Sequence, residues 1–399
     1  MNLINGEKIE VEVFDNKSIQ LSDNEINKKY IDGEIRIVTE QARYPLNSIL
    51  GMVSSDNYKI DPEYQRRHRW SNEKRSRLIE SLIMNVPLPP IFLYEYEYSN
   101  YEVMDGLQRL TAIASFYDDV FQLEGLTKWP ELNGKKYSQL PSQVRKGIDR
   151  RYISSIILLH ETASTEEEAN NLKQMVFDRI NSGGEKLTPQ EKRNANFNGN
   201  MNRLCIKLSE NDYLCKMWGI PLANKDDGSE ISSARREDNL FKTMFDVELV
   251  LRFFAYRQRN ELQKRSLEDY LDFYLEKGNY FPSDTLKSLG ALFEATVELV
   301  YEIFGPDAFH MLRQRKTEKG ISWGWYDRPT TAIYDPMMFV LSHFIDNKDK
   351  LITNKSAINH GLEKFYIENY DVFEGRNTNP SALQARNSKF MDFIEGYSK

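Results

Sequence analysis

The residues of this chain best suited to chemistry fall in three short segments that share one character. They are Tyr64-Gln65-Arg66-Arg67, Asp105-Gly106-Leu107-Gln108-Arg109 and Arg179-Ile180-Asn181-Ser182-Gly183-Gly184. Each sets arginine beside Gln, Asn or Gly. A guanidinium is a planar, permanently charged fork that matches phosphate oxygens, and glycine lets a ligand approach the backbone closely. Amide side chains can read a base or ribose, or position an attacking water. Asp105 can accept a proton, accept a hydrogen bond or help hold a metal, and Glu102 and Asp178 are further candidates for a base or ligand. The pattern points to a polyphosphate site.

The elements that must carry these residues can be read around them. Tyr101-Glu102-Val103-Met104 reads as a strand, Gly106 as the turn, and Leu110, Ile113, Ala114 and Tyr117 as one face of a helix running to about Asp118. A glycine turn from strand to helix aims backbone N–H groups and the positive helix end at an anion. Ile91-Phe92-Leu93-Tyr94 pairs with 101–104 as a hairpin across the polar turn 95–100. Strands are also expected at Ile35 to Val38, Tyr58 to Ile60 and Tyr152 to Leu159. Helices are expected at Tyr44 to Leu50, opened by Pro45, and at Ser71 to Asn85, which ends before Val86-Pro87-Leu88-Pro89-Pro90.

Two capping boxes follow, Thr165 to Glu168 and Thr188-Pro189-Gln190-Glu191, the second with proline at the first helical position. The first of these helices ends at Asn181, before the Ser182-Gly183-Gly184 turn. Beyond about Met201 the strand signals fade. Leu240 to Tyr256, Leu267 to Leu275, Leu286 to Phe304 and Pro336 to Ile345 have helical period. The fold class is therefore α+β: a small mixed sheet with helices over 1–200, then an all-helical domain over 201–399.

Composition bounds the possibilities. The 399 residues suffice for two or three domains, and 40% hydrophobic with 28% charged residues fits a globular protein. A net charge of −7 argues against a broadly basic nucleic-acid-coating surface. Locally, Tyr64 to Arg77 carries six Lys and Arg against one acid, Glu73. No run approaches the roughly 20 apolar residues of a membrane span. Met1 to Gln20 shows no secretory pattern, so Cys205 and Cys215 read as unpaired thiols in a cytoplasmic protein. The five histidines, His68, His160, His310, His343 and His360, lack metal spacing, and neither a nucleophile elbow nor a Walker A loop is present.

As a set, these motifs resemble a known family. Gln65-Arg66-Arg67, Trp70, Lys74 to Leu82, Pro87-Leu88-Pro89-Pro90-Ile91 and Asp105 to Ala112, followed by Val176 to Gly184 and Leu187 to Ala195, resemble the N-terminal domain of GmrSD-type restriction and phage-defence proteins. That family belongs to the ParB/sulfiredoxin-like superfold. The resemblance implies a nucleotide-binding module that in several members hydrolyses a nucleoside triphosphate, with Mg²⁺ as accompanying cation. It gives Arg109, Arg66 and Arg67 the phosphates, Gln108 a water or base, and Asp105 a metal or water. Gln65 and Gly106 face the same pocket, and Arg179, Asn181 and Gly183 close it. The family's motif carries Gln where this chain has Leu107, so binding is better preserved than turnover.

Many relatives carry an HNH nuclease after this module, and no such signature stands here. Partners implied are a nucleoside triphosphate, DNA, and an effector protein or second copy of the chain, with no membrane. The alternatives are a DNA-binding or modified-DNA sensor using the Gln65–Arg77 strip without catalysis, and a nuclease centred on Asp105.

Overall fold

The structure, a computed structural model, describes residues 3–9, 22–32, 37–60, 70–159, 165–181, 188–223, 232–259, 266–317, 320–375 and 379–398. The chain divides into two compact units. One is Asp15–Lys186, and the other combines Met1–Phe14 with Leu187–Lys399.

The first unit is built on a five-stranded mixed sheet. In chain order it holds β1 (Thr39–Pro45), α1 (Ile49–Val53), β2 (Tyr58–Lys59), α2 (Asn72–Ile83), β3 (Ile91–Glu97), β4 (Asn100–Asp105), α3 (Leu107–Tyr117), α4 (Ser142–Asp149), β5 (Tyr152–Leu158) and α5 (Glu166–Asn181). The strand order is β1-β5-β3-β4-β2. β1 pairs antiparallel with β5, β5 parallel with β3, β3 antiparallel with β4, and β4 parallel with β2.

Apolar periodicity explains the packing. Leu110, Ile113, Ala114 and Phe116 of α3 join Leu78, Ile79 and Leu82 of α2 in one core with Ile91, Leu93, Ile153 and Ile157 of the sheet. Two carboxylates in and beside this core are well satisfied. The Glu80 carboxylate accepts from the backbone N–H of Lys128 at 2.8 Å and Trp129 at 2.9 Å. Asp149 accepts from the Tyr117 and Tyr137 hydroxyls at 3.0 and 2.9 Å, fixing the far end of α3. Burial, reinforced by that bond, pushes the Tyr137 phenol up to about 12.

Most expected elements of this unit are present, and Ser71, where the second helix is expected to begin, is the N-cap of α2. Two elements differ: residues 37–38 lie outside any element and the strand runs from Thr39 through Pro45, so the helix expected over Tyr44 to Leu50 gives way to strand at 44–45, a 3-10 turn at Leu46–Ser48 and α1. The reason is pairing, because β5 offers partners for all seven residues of β1. Residues 35–36 lie outside the described residues.

The second unit is mainly helical. Its principal elements are α6 (Pro189–Asn196), α7 (Asn200–Leu208), α8 (Phe245–Tyr256), α9 (Leu267–Gly278), α10 (Ser283–Phe304), β6 (His310–Thr317), β7 (Gly320–Pro329), α11 (Thr331–Leu341), α12 (Lys355–Glu368) and α13 (Pro380–Ser398). The antiparallel ribbon β6–β7 departs from the all-helical expectation. Its arginines and glutamine interrupt apolar alternation, which left the strands without a readable pattern.

Two helices also differ in their limits. Met244, at φ 55°, separates α8 from a short helix, Asn239–Lys242, where the sequence reads as one run. Pro336, expected near a helix start, lies inside α11. Ile333, Tyr334, Met337, Met338 and Leu341 are buried around it, and their packing offsets the lost backbone bond.

The capping box of α6 forms as expected. Thr188 Oγ1 accepts from the Glu191 N–H at 3.4 Å, and a Glu191 carboxylate oxygen accepts from the Thr188 N–H. The Thr188 hydroxyl also donates to the Thr243 carbonyl at 2.9 Å. Thr188→Ala is expected to cost about 1–2 kcal/mol, and Thr188→Ser to restore most of it. Urea unfolding midpoints check this, and an unchanged midpoint in Thr188→Ala would count against the cap.

The thiols of Cys205 and Cys215 are buried and unpaired, and burial raises both above the ordinary thiol range. Neither is a poised nucleophile. Among the described residues, no helix is long and apolar enough to cross a membrane.

Candidate functional site

The Asp105–Arg109 motif forms the corner where β4 ends and α3 begins. Gly106 is the N-cap of α3, at φ 95°, ψ 6°, a left-handed conformation that L side chains rarely adopt. It also lies close against β3. A Cβ at this position would stand 2.9 Å from Ile91 Cβ, closer still to Ile91 Cγ2, and 3.1 Å from Arg109 Nη2.

The consequence is an unusual helix start. Gly106 makes no side-chain cap, and the first helical hydrogen bond is Leu110 N–H to the Gly106 carbonyl, 2.9 Å. The N–H groups of Leu107, Gln108 and Arg109 therefore belong to the first turn, where the helix carries its partial positive charge.

Arg109 is turned into the fold. Its Nη1 donates to the Pro89 carbonyl, and its Nη2 to the Pro90 carbonyl at 3.2 Å and to Asp105 Oδ2 at 2.8 Å. The side chain is 12% exposed. Burial pulls the guanidinium below its ordinary range, and the Asp105 carboxylate opposes that fall. This fork clamps the 86–90 turn to the β4–α3 corner. Three acceptors of the fold, two carbonyls and one carboxylate, thus take N–H groups of the Arg109 fork.

Asp105 keeps 38% of its side chain exposed while paired with Arg109. Gln108 Oε1 accepts from the Trp70 N–H at 3.3 Å. Trp70 is the first described residue after the segment holding Gln65, Arg66 and Arg67, which lies outside the described residues, as does Gly183. Leu107 is half-buried, and its carbonyl accepts from Thr111 Oγ1 at 2.9 Å. Arg179 is exposed near the end of α5, and the side chains of Asp178 and Asn181 lie outside the described residues.

One contributor carried no sequence signal. Lys173 on α5 reaches both carboxylate oxygens of Glu102 on β4, each at 2.6 Å, and lies 5.9 Å from the centre of the Tyr94 ring. Glu102 is thereby committed to anchoring α5 on the sheet. Among the described residues, no group of three His, Cys, Asp or Glu could hold a metal ion.

The described part of the basic strip is largely used within its own helix. Arg77 pairs with Glu73 at 2.7 Å, Arg75 donates to Asn72 and lies over the Phe121 ring, and Lys74 lies over Trp70.

These features define an α+β domain whose helix-start corner carries an Asp-Gly-x-Gln-Arg motif. Residues 46–198 match the family model described as the GmrSD restriction endonuclease N-terminal domain, and this segment of the chain belongs to that family. The matched segment contains strands β2 to β5 of the sheet, the corner and the Thr188 capping box. No curated protein and no solved structure matches the chain.

Proposed function

We propose that the chain serves in restriction-type defence against foreign DNA, and that its mixed-sheet unit binds a nucleoside triphosphate at the β4–α3 corner. The observation that carries this reading is the start of α3. Gly106 leaves the first turn without a side-chain cap, directly after Asp105, inside the segment that matches the restriction family. Backbone N–H groups in that position favour phosphate oxygens.

The residues then divide the work. The first-turn N–H groups and Gly106 receive phosphate. Gln108, its oxygen held by Trp70, offers its amide nitrogen to the nucleotide or a water. Arg109 is a positioning residue that fixes the corner and orients Asp105. Gln65, Arg66 and Arg67, with Arg179, Asn181 and Gly183, supply the remaining contacts. Among the described residues no donor set suits a protein-held metal, and Mg²⁺ would arrive on the phosphates, with a carboxylate from Asp105. Leu107 removes an amide from the family's motif, so tight binding with slow phosphate release is the expected behaviour.

A thermal-shift panel of the four Mg²⁺-nucleoside triphosphates tests this reading. One triphosphate at about 100 times its Kd should add about 2.7 kcal/mol of stability. No shift with any of the four overturns it.

A further inference from the structure

The ribbon β6–β7 has a surface that the β4–α3 corner does not use. Its two faces differ in kind. On one, Leu312 is buried, Trp323 packs edge-on against Tyr370 with ring centres 5.0 Å apart, and Trp325 packs edge-on against Tyr366 of α12 at 5.9 Å. That face seats the ribbon on the helices of its own unit.

The other face is set by register. Arg313 stands opposite Gly324, and Arg315 opposite Ser322, so both arginines project from the side away from the tryptophans. Both are exposed, and neither is in an ion pair among the described residues. The Arg313 guanidinium lies 3.8 Å from the centre of the Tyr326 ring, which holds it flat. Gly324 carries no side chain, and a Cβ there would already be 3.8 Å from Arg315 Cζ. A register shift between His310 and Leu312 bulges β7 at 326–328, adding the exposed Arg328. Asp327 is the one acid among the described ribbon side chains.

We propose that this face of the ribbon is a docking surface for duplex DNA, with Arg313 and Arg315 on the phosphates and the ribbon lying along the major groove. Three physical arguments select that occupant. A cationic, aromatic-backed face in a chain of net charge −7 is complementary to a polyanion. A two-stranded ribbon fits the roughly 12 Å major groove of B-form DNA, whereas the A-form RNA groove is too narrow to admit it. Seating by the tryptophans pre-orders the cations, so little entropy is lost on binding. The inference deepens the restriction reading by assigning its DNA contact, and it does not rest on nucleotide binding.

The test is binding of a fluorescent 20-base-pair DNA duplex to the full chain across a salt series. Wild type should bind with affinity falling steeply with salt. Arg313→Ala/Arg315→Ala should bind about tenfold or more weakly at low salt, with the log–log salt slope reduced by about 2. Lys287→Ala/Lys364→Ala removes two exposed cations elsewhere in the same unit and should leave affinity unchanged. A duplex RNA of the same sequence should bind more weakly than the DNA. Equal affinity of the arginine variant and wild type overturns the proposal. So does equal loss in the lysine control, or preference for RNA or a single strand. Circular dichroism of each variant, with loss of the folded spectrum excluded, keeps the comparison one of binding. Arg315→Glu is a second variant at an exposed position and should weaken binding further than Arg315→Ala.

Discussion

Gly106→Ala is expected to destabilise the mixed-sheet unit by about 2–5 kcal/mol. The backbone at φ 95° costs a residue with a Cβ about 1–2 kcal/mol. The added methyl also lands 2.9 Å from Ile91 Cβ and closer to Cγ2, an overpacking of fully buried structure worth about 1–3 kcal/mol more. Neither Ile91 nor the helix can yield cheaply, because Ile91 pairs with Ser155 on β5 and α3 is packed along its length. Hydrogen exchange read by mass spectrometry checks the effect. Peptides covering 91–117 should lose protection by orders of magnitude, while those covering 245–304 should not change. Retained protection in 91–117 would mean that the corner tolerates a side chain.

Asp335→Ala should be nearly as damaging, by a different route. Arg252 on α8 makes a bidentate pair with Asp335 on α11, at 3.0 Å through Nε and 2.5 Å through Nη2, and both side chains are under 5% exposed. Removing the carboxylate leaves a buried guanidinium with a 3.5 Å contact to Glu248 and the Tyr256 ring 5.1 Å away. Stranding such a charge costs about 3–5 kcal/mol. Replacing both partners, as in Arg252→Met/Asp335→Leu, is expected to recover most of that loss, because the stranded charge is gone. Urea unfolding of the two variants distinguishes the cases. A double variant as unstable as Asp335→Ala would show that the pair contributes more than relief from desolvation.

Much of the fold could be read from local chemistry. The Ile91–Asp105 hairpin, the turn at Gly106 and the Thr188–Glu191 box each rest on residues a few positions apart, so spacing sufficed. Tertiary partners were beyond such reasoning. Nothing near Lys173 signals its bond to Glu102, 71 positions away. The destination of Arg109 was equally hidden. An arginine after a glycine turn suggests phosphate, yet the carbonyls of Pro89 and Pro90, 20 and 19 positions earlier, take its fork. The ribbon escaped because its cations alternate on one face while its tryptophans, which look like core, cover the other. Of the candidate site, the corner was legible and the contacts of its arginine were not.

The most direct measurement is a calorimetric titration of Mg²⁺-nucleoside triphosphate into wild type and Gln108→Glu, with a melting curve of each free protein. Glutamate keeps the oxygen that accepts from the Trp70 N–H and adds a negative charge to the first turn of α3. That charge should stabilise the helix by about 0.3–1 kcal/mol and repel the phosphates. The expected result is therefore a pair of opposite signs: a melting temperature held or raised, and nucleotide affinity lowered at least about tenfold, or about 1.4 kcal/mol. Unchanged affinity in Gln108→Glu would contradict a phosphate site at the start of α3.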